Sequence, residues 1–298
     1  MYWVILAILA TFFWACTNIF DKILRTKYLK HSIALTASFG IFGLLFSTLL
    51  FPFVGIPTIP IQNLVAAFVA GISVTYAIIF YIRALSLEEA SRVVPLWHLA
   101  PVFTLVLAVI FLNEILTPLK YYGFTLILLG GFLISTRHVE TRFHLSPAVV
   151  FMLLSSILVA TGDVLMKFAL STGIFWQTFF VFYSGVSLGN ISLFILPTVR
   201  KNFKKIQPLR KNNFIFVLFL SVLAGSSGQI LFNNALLTAP VTLLSVFVSF
   251  QSLFVLILST FLSLKFPKLI REHVDVKTVG TKIIAIFLMA AGLFLISI

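Results

Sequence analysis

An all-α integral membrane fold is what the sequence predicts, and three observations carry the prediction. Of its 298 residues 60% are hydrophobic and 10% charged, where an ordinary soluble domain has about 45–50% and about 25%. The mean hydropathy is +1.14. Apolar runs of about 20 residues, the length that crosses a bilayer, recur along the whole chain and leave only short connections. No extramembrane domain fits between them.

Ten such runs are expected, near 2–24, 33–54, 62–83, 90–112, 119–136, 146–170, 174–197, 213–236, 240–264 and 278–297. The first, opening MYWVILAILA, has no basic leader and no small-residue cleavage site, so it reads as a retained span. It ends on Asp21-Lys22, Arg25, Lys27 and Lys30. The loop after the second span, PFVGIPTIPIQN, carries three prolines and no charge. The fourth span holds Pro95 and Pro101, each of which removes a backbone donor and disrupts a helix. Such disruption is tolerated in lipid only where protein or a water-filled cavity satisfies the freed backbone. A polar turn, Asn113-Glu114 to Lys120, leads into the fifth. The single cysteine, Cys16, permits no intrachain disulfide and leaves the redox compartment open.

The charge is one-sided. The chain has 21 Lys and Arg against eight Asp and Glu, a net charge of +13. Loops that follow odd-numbered spans share one face and hold 19 of the 21, including six between residues 200 and 211. The positive-inside rule places that face in the cytoplasm, with both termini on the opposite, non-cytoplasmic side. Basic residues confined to short loops between spans do not make a nucleic-acid surface.

The chain reads as one unit written twice, over 2–136 and 147–297. An offset of 151 residues places Ala84-Leu85 on Ala235-Leu236 and Phe103 on Phe254; an offset of 162 places Lys120 on Lys282, Gly130 on Gly292 and Ile134-Ser135 on Ile296-Ser297; an offset of 145 places Asn18 on Asp163 and Lys22 on Lys167. Five spans per unit is an odd number, so the second unit is expected upside down relative to the first. In such folds the substrate site lies near the midplane where the repeats meet.

These residues resemble the EamA family of the drug/metabolite transporter superfamily. The signals are Ala84-Leu85, Ala90-Ser91, Pro95-Leu96, Pro101-Val102-Phe103, Phe111-Leu112-Asn113-Glu114, Gly123 and Gly130-Gly131, with Trp14, Lys22 and Lys167. The resemblance implies a ten-helix secondary transporter in the cell membrane, moving a small polar solute such as an amino acid or related metabolite, usually outward. It implies a cavity lined mainly by the first, third, fourth, sixth, eighth and ninth helices, with no enzyme activity and no cofactor. Two features depart from the pattern. The second unit has Val246 and Ser252 where the first has the two prolines, and Lys265 in place of Glu114. The loop charges also put the termini opposite to the cytoplasmic placement usual in the family.

Polar groups inside spans are the candidates for substrate binding, because intramembrane ionisable and amide groups are costly unless used. Asp163 either binds a proton or substrate amine or pairs with Lys167 four residues on. Asn18 and Lys22 share that spacing. Gln229 and Asn233 lie on one face of the eighth span, able to line a cavity or bond a neighbouring helix. His98, between the two prolines and beside Trp97, is the group that titrates nearest neutrality. Trp14, Tyr76 and Gln251, with Ser249 beside the last, complete the set. Glu114 is expected to cap a helix or bond between helices, and Asn190 to pack. No zinc-protease, Walker or Cys/His metal motif occurs, so a gradient, with a proton as one coupling option, would supply the drive. A nucleotide-sugar or lipid-linked cargo is the alternative within transport, and a membrane-embedded enzyme or a structural membrane protein the alternatives outside it. A small-molecule substrate and the bilayer are the expected partners, in a monomer or homodimer.

Overall fold

The computed structural model describes residues 2–28, 31–88, 93–135, 147–204, 211–265 and 276–298. The turn from Glu89 to Arg92, with its Ala90-Ser91 pair, lies outside the described residues. So do Arg137 and Arg142, between the two expected units, and Lys30, Lys205, Arg210, Lys268 and Arg271 among the loop cations.

Every regular element among the described residues is helical. The long helices are α1 (Tyr2–Lys27), α2 (Ser32–Val54), α3 (Ile61–Leu85), α4 (Ala100–Leu112), α5 (Pro118–Ser135), α6 (Pro147–Ala169) and α7 (Phe175–Ser192). After a short α8 (Pro197–Phe203) come α9 (Lys211–Thr238), α10 (Val241–Phe247), α11 (Phe250–Lys265) and α12 (Val276–Ser297). A 3₁₀ turn, Val94–Leu99, leads directly into α4. Among the described residues, seven helices are long and apolar enough to cross a membrane by length and composition. The remaining expected spans are shorter: Leu96–Leu112 and Lys282–Ser297 are apolar helices of lesser length, and α5 has 18 residues.

Local chemistry sets the boundaries. The imidazole of His31 caps α2 by accepting the Ala34 N–H at 3.2 Å. Gly55, at φ +69°, ends α2 in a conformation that side chains rarely adopt. Asn113 ends α4 at φ +53°, in the left-handed region that asparagine tolerates.

The helices find their main partners across the sequence midpoint. α1 packs along α9 and on α11, α3 along α6 and α7, α2 along α7, α4 along α6 and on α10, and α5 along α12. Small residues let backbones approach: a Cβ at Gly123 would sit 2.8 Å from the Gly292 carbonyl oxygen, and one at Gly292 would sit 2.6 Å from that of Gly123. One end of the bundle gathers Leu24 of α1, Leu35 of α2, Leu193, Val199 of α8 and Phe214 of α9 into a single apolar cluster. The cations around the C-terminal end of α1 and in α8 lie at this end. The chain termini lie at the other, where Trp3 packs edge-on against Phe247 at 5.4 Å and Ile296 reaches Gly123.

The proline-bearing fourth span does not come apart as its two prolines led the sequence reading to expect. Pro101 occupies the first turn of α4, where the missing N–H costs no helical bond. The chain instead tightens into 3₁₀ winding over Val94–Leu99 and continues. The ninth span does the same without a proline. Between α10 and α11, Val248 N–H bonds to Ser245 C=O at 3.3 Å, Ser249 to Val246 at 3.0 Å and Ser252 to Ser249 at 3.2 Å. Those three-residue steps are the 3₁₀ pattern, which inside a longer helix often marks a functional hinge.

Candidate functional site

The two tightened turns face each other. His98 sits in the first and Ser249 in the second, and His98 Nδ1 and Ser249 Oγ lie 3.2 Å apart in a buried hydrogen bond. Their separation in sequence is 151 residues, one of the offsets at which the sequence reads as repeating. Gly131 of α5 makes room for the pair: a Cβ there would fall 2.5 Å from Ser249 Cβ and 2.9 Å from His98 Cε1. Ser156 of α6 reaches the Leu96 carbonyl of the first turn at 3.5 Å.

Beside this bridge lies a cavity lined by Trp97, His98, Pro101, Val159, Asp163, Ser245, Val248 and Ser249, with Ala100. It is narrow, with room for a water molecule rather than a metabolite. Trp97 is fixed by the ring of Tyr81, edge-on at 4.9 Å. Ser245, on the cavity wall, donates its hydroxyl to the Thr242 carbonyl at 2.8 Å. Gly162, the neighbour of Asp163, lies against the Ala70 carbonyl of α3. That contact sets Asp163 at mid-depth, since Ala70 lies well inside α3 (Ile61–Leu85).

Of the eight residues predicted from sequence, His98 and Asp163 lie on this cavity. Asp163 is not paired with Lys167. The Lys167 ammonium instead donates to the Leu236 carbonyl at 2.5 Å and the Ala239 carbonyl at 2.8 Å, holding the C-terminal end of α9. Cationic side chains at helix C-termini satisfy the last carbonyls in this way, and the two carbonyls outcompete a carboxylate on the same helix. Lys22 and Asn18 at the aligned positions of α1 are exposed.

The others stand apart from the cavity. Trp14 packs between α1 and α9, its ring 5.1 Å from that of Phe232, and its Nε1 lies 2.7 Å from where a Gly228 Cβ would be. Tyr76 is exposed and directs its hydroxyl to Ser192 at 3.5 Å. Gln229 donates to Asn233 at 3.5 Å within α9, and the buried Asn233 amide nitrogen has no further partner among the described residues. Gln251 is half-buried on α11, one turn from Val248. Glu114 caps a helix as expected. Its carboxylate accepts the N–H groups of Val241 and Thr242 at 2.9 and 3.3 Å and the Thr242 hydroxyl at 3.1 Å, satisfying the first turn of α10. The left-handed Asn113 before it turns the chain to make that reach.

Asp21 was missed. Its adjacency to Lys22 reads as a helix exit, yet it lies within α1 and accepts the Ser221 hydroxyl of α9 at 2.7 Å. No group of three or more His, Cys, Asp or Glu that could hold a metal ion occurs among the described residues.

Residues 1–136 match the model of the EamA-like transporter family. No curated protein matches the sequence. A solved crystal structure of a protein shares the fold, with a TM-score of 0.71 at 14% identity over 98% of this chain and 94% of that one. Residues 1–136 are thus similar to the EamA-like transporter family, whose model they match, and seven helices among the described residues are long and apolar enough to cross a membrane.

Proposed function

We propose that the chain is a ten-span secondary transporter built from two inverted five-helix units, 2–136 and 147–297. It carries a small polar solute, an amino acid or related metabolite, by alternating access through the cavity between the units. The observation that carries this reading is the meeting of two 3₁₀ turns, one from each half, beside an intramembrane carboxylate, Asp163, that has no hydrogen-bond or ion-pair partner among the described residues. Irregular backbone at membrane depth is tolerated where it lines a cavity, and carriers with inverted repeats bind substrate at such interrupted helices.

Packing supports the duplication. Gly130 contacts Met289 and Ala285, while its equivalent Gly292 contacts Ile127 and Gly123, which are the equivalents of Met289 and Ala285 at an offset of 162. The main pairings answer one another when the halves are exchanged, since α1 with α9 answers α6 with α3 and α5 with α12 answers itself, although α3 also packs along α7 where α9 barely meets α2. Among the described residues no lysine or arginine lines the cavity, which disfavours a nucleotide-sugar or lipid-linked phosphate cargo. Both termini lie on the non-cytoplasmic side in this reading, opposite the basic end.

The test is a comparison of metabolites retained by cells that express wild-type protein or Asp163→Asn, followed by exchange of the affected solute in proteoliposomes. A solute whose level changes with the wild type alone, and which the purified protein exchanges, supports the reading. Equal levels in both strains, with no exchange, sink it. Reporter fusions at both termini and within 200–211 test the orientation; a cytoplasmic N-terminus would overturn it.

A further inference from the structure

We propose that α8 (Pro197–Phe203) lies in the headgroup layer of the bilayer and binds anionic phospholipid through Arg200, Lys201 and Lys204. The inference rests on the membrane reading alone and is independent of what the chain carries. Position comes first. The apolar stretch that contains α7 ends at Ile195, in a 3₁₀ turn over Leu193–Ile195. Leu196 is extended, and Pro197 then opens α8 at a position where its missing N–H costs no bond. With seven residues α8 is about 10 Å long, so it stays near the level at which the seventh span leaves the apolar layer.

The helix has two faces. Val199 and Phe203, four residues apart, share one. Val199 is wholly buried with Leu24, Leu35, Leu193 and Phe214, and Phe203 meets Phe194 edge-on at 5.3 Å. Arg200, Lys201 and Lys204 share the other face, and all three are exposed. Arg200 donates one N–H to the Ile195 carbonyl at 3.4 Å. Lys201 and Lys204 make no hydrogen bond or ion pair with a described residue. The segment from Pro197 to Lys204 contains no carboxylate.

The neighbours of the cations select the occupant. Ile195 is 76% exposed and Leu196 44%, directly before the helix. A soluble anion, an acidic peptide or a nucleic acid would match the charge and leave these two side chains in water. A phospholipid meets both parts of the surface, with acyl chains against Ile195 and Leu196 and phosphate against the cations, as for a helix lying in the membrane interface. Lysine and arginine stems reach the phosphate while their methylenes stay on apolar surface. A zwitterionic headgroup brings its own cation beside the phosphate and would leave the three charges unmatched. Anionic lipids concentrate in the cytoplasmic leaflet and attract basic segments beside spans, and the loop charges assign the basic end to that side. Val199 ties α8 to the ends of α1, α2 and α9, so a lipid held by the folded protein stabilises it and gives the readout.

The experiment places the full-length protein in nanodiscs of phosphatidylcholine, alone or mixed with phosphatidylglycerol, and follows thermal unfolding. Phosphatidylglycerol is expected to raise the unfolding temperature by about 2–4 °C or more, and high salt to remove most of that rise. Arg200→Gln/Lys201→Gln/Lys204→Gln should lose at least half of the rise while unfolding as the wild type does in phosphatidylcholine. Lys22→Gln/Lys27→Gln/Arg83→Gln removes the same charge from exposed sites outside α8 and should keep most of it. Where the α8 triple variant does not fold, Lys201→Gln/Lys204→Gln makes the same test, since neither side chain has a described partner to lose. A polarity-sensitive dye on Ile195→Cys, in a Cys16→Ala chain, should report apolar surroundings and be quenched by brominated acyl chains. Overturning results are no rise for the wild type, an undiminished rise in the folded α8 variant, an equal loss in the control triple, or a dye at 195 that stays in water. The same rise produced in phosphatidylcholine discs by inorganic phosphate or polyglutamate would replace the lipid by a soluble anion or an acidic protein and overturn the proposal.

Discussion

The two halves of the chain reach the same geometry by different chemistry. In the first, the 3₁₀ turn over Val94–Leu99 contains a proline and is followed by another in the first turn of α4; in the second, Val248 and Ser249 make the same tightening with none. In the second half, Lys167 closes the C-terminal end of α9 through two carbonyls, and Glu114 from the first half closes the start of α10. The aligned lysine of the first half, Lys22, is exposed. The difference teaches that the turn belongs to the fold, whereas the locks belong to one end of it. The end opposite the basic cluster is held by a carboxylate and an ammonium around the turn from Thr238 to Pro240.

The sharpest way to break this comparison is to remove the lock. Glu114→Ala leaves the Val241 and Thr242 donors without their acceptor and is expected to destabilise the protein by about 2–4 kcal/mol, read as a lowered unfolding temperature in detergent. Glu114→Gln should recover part of the loss. A wild-type unfolding temperature for Glu114→Ala would mean that water caps α10 equally well. Next in size, Lys167→Met is expected to cost about 1.5–3 kcal/mol, while Lys22→Met leaves thermal unfolding unchanged. Equal costs at the two positions would erase the asymmetry between the halves.

The bridge between the turns comes third. Ser249→Ala should cost about 1 kcal/mol, and His98→Phe combined with it should be less than additive by about 0.5–1.5 kcal/mol. Full additivity in that double-mutant cycle would show that the contact contributes nothing. The smallest expected effect is Pro101→Ala, below about 1 kcal/mol, because the second half makes its turn without proline and Pro101 occupies a position where the lost N–H is unneeded. Loss of the folded state on that substitution would show that proline, and not tertiary packing, makes the first turn.

Hydropathy made the all-helical membrane fold legible because a bilayer demands long apolar helices and little else. His98 and Asp163 stood out for the same reason: ionisable side chains inside apolar runs have few structural excuses. Ser249 was legible only as a weak candidate, since serine is common in packed membrane helices. Its partner could be found by adding 151 to 98, a step that needs the repeat to be trusted at single-residue precision. The direction of Gln229 and Asn233 was not legible, because α9 is apolar on every side and no stripe marks which face meets the cavity. Asp21 was hidden by the charge beside it, and its serine partner lies 200 residues away.

The bond between His98 and Ser249 also bears on descent. In a dimer of two identical chains, a residue on the symmetry axis meets its own copy, and one mutation alters both sides together. Once two copies are joined in a single gene, each side mutates alone, and a histidine can come to face a serine. In the two-unit reading, an imidazole opposite a hydroxyl on the axis is an arrangement that two identical chains cannot make, so changes at 98 and 249 are expected to be inherited as a pair among its descendants.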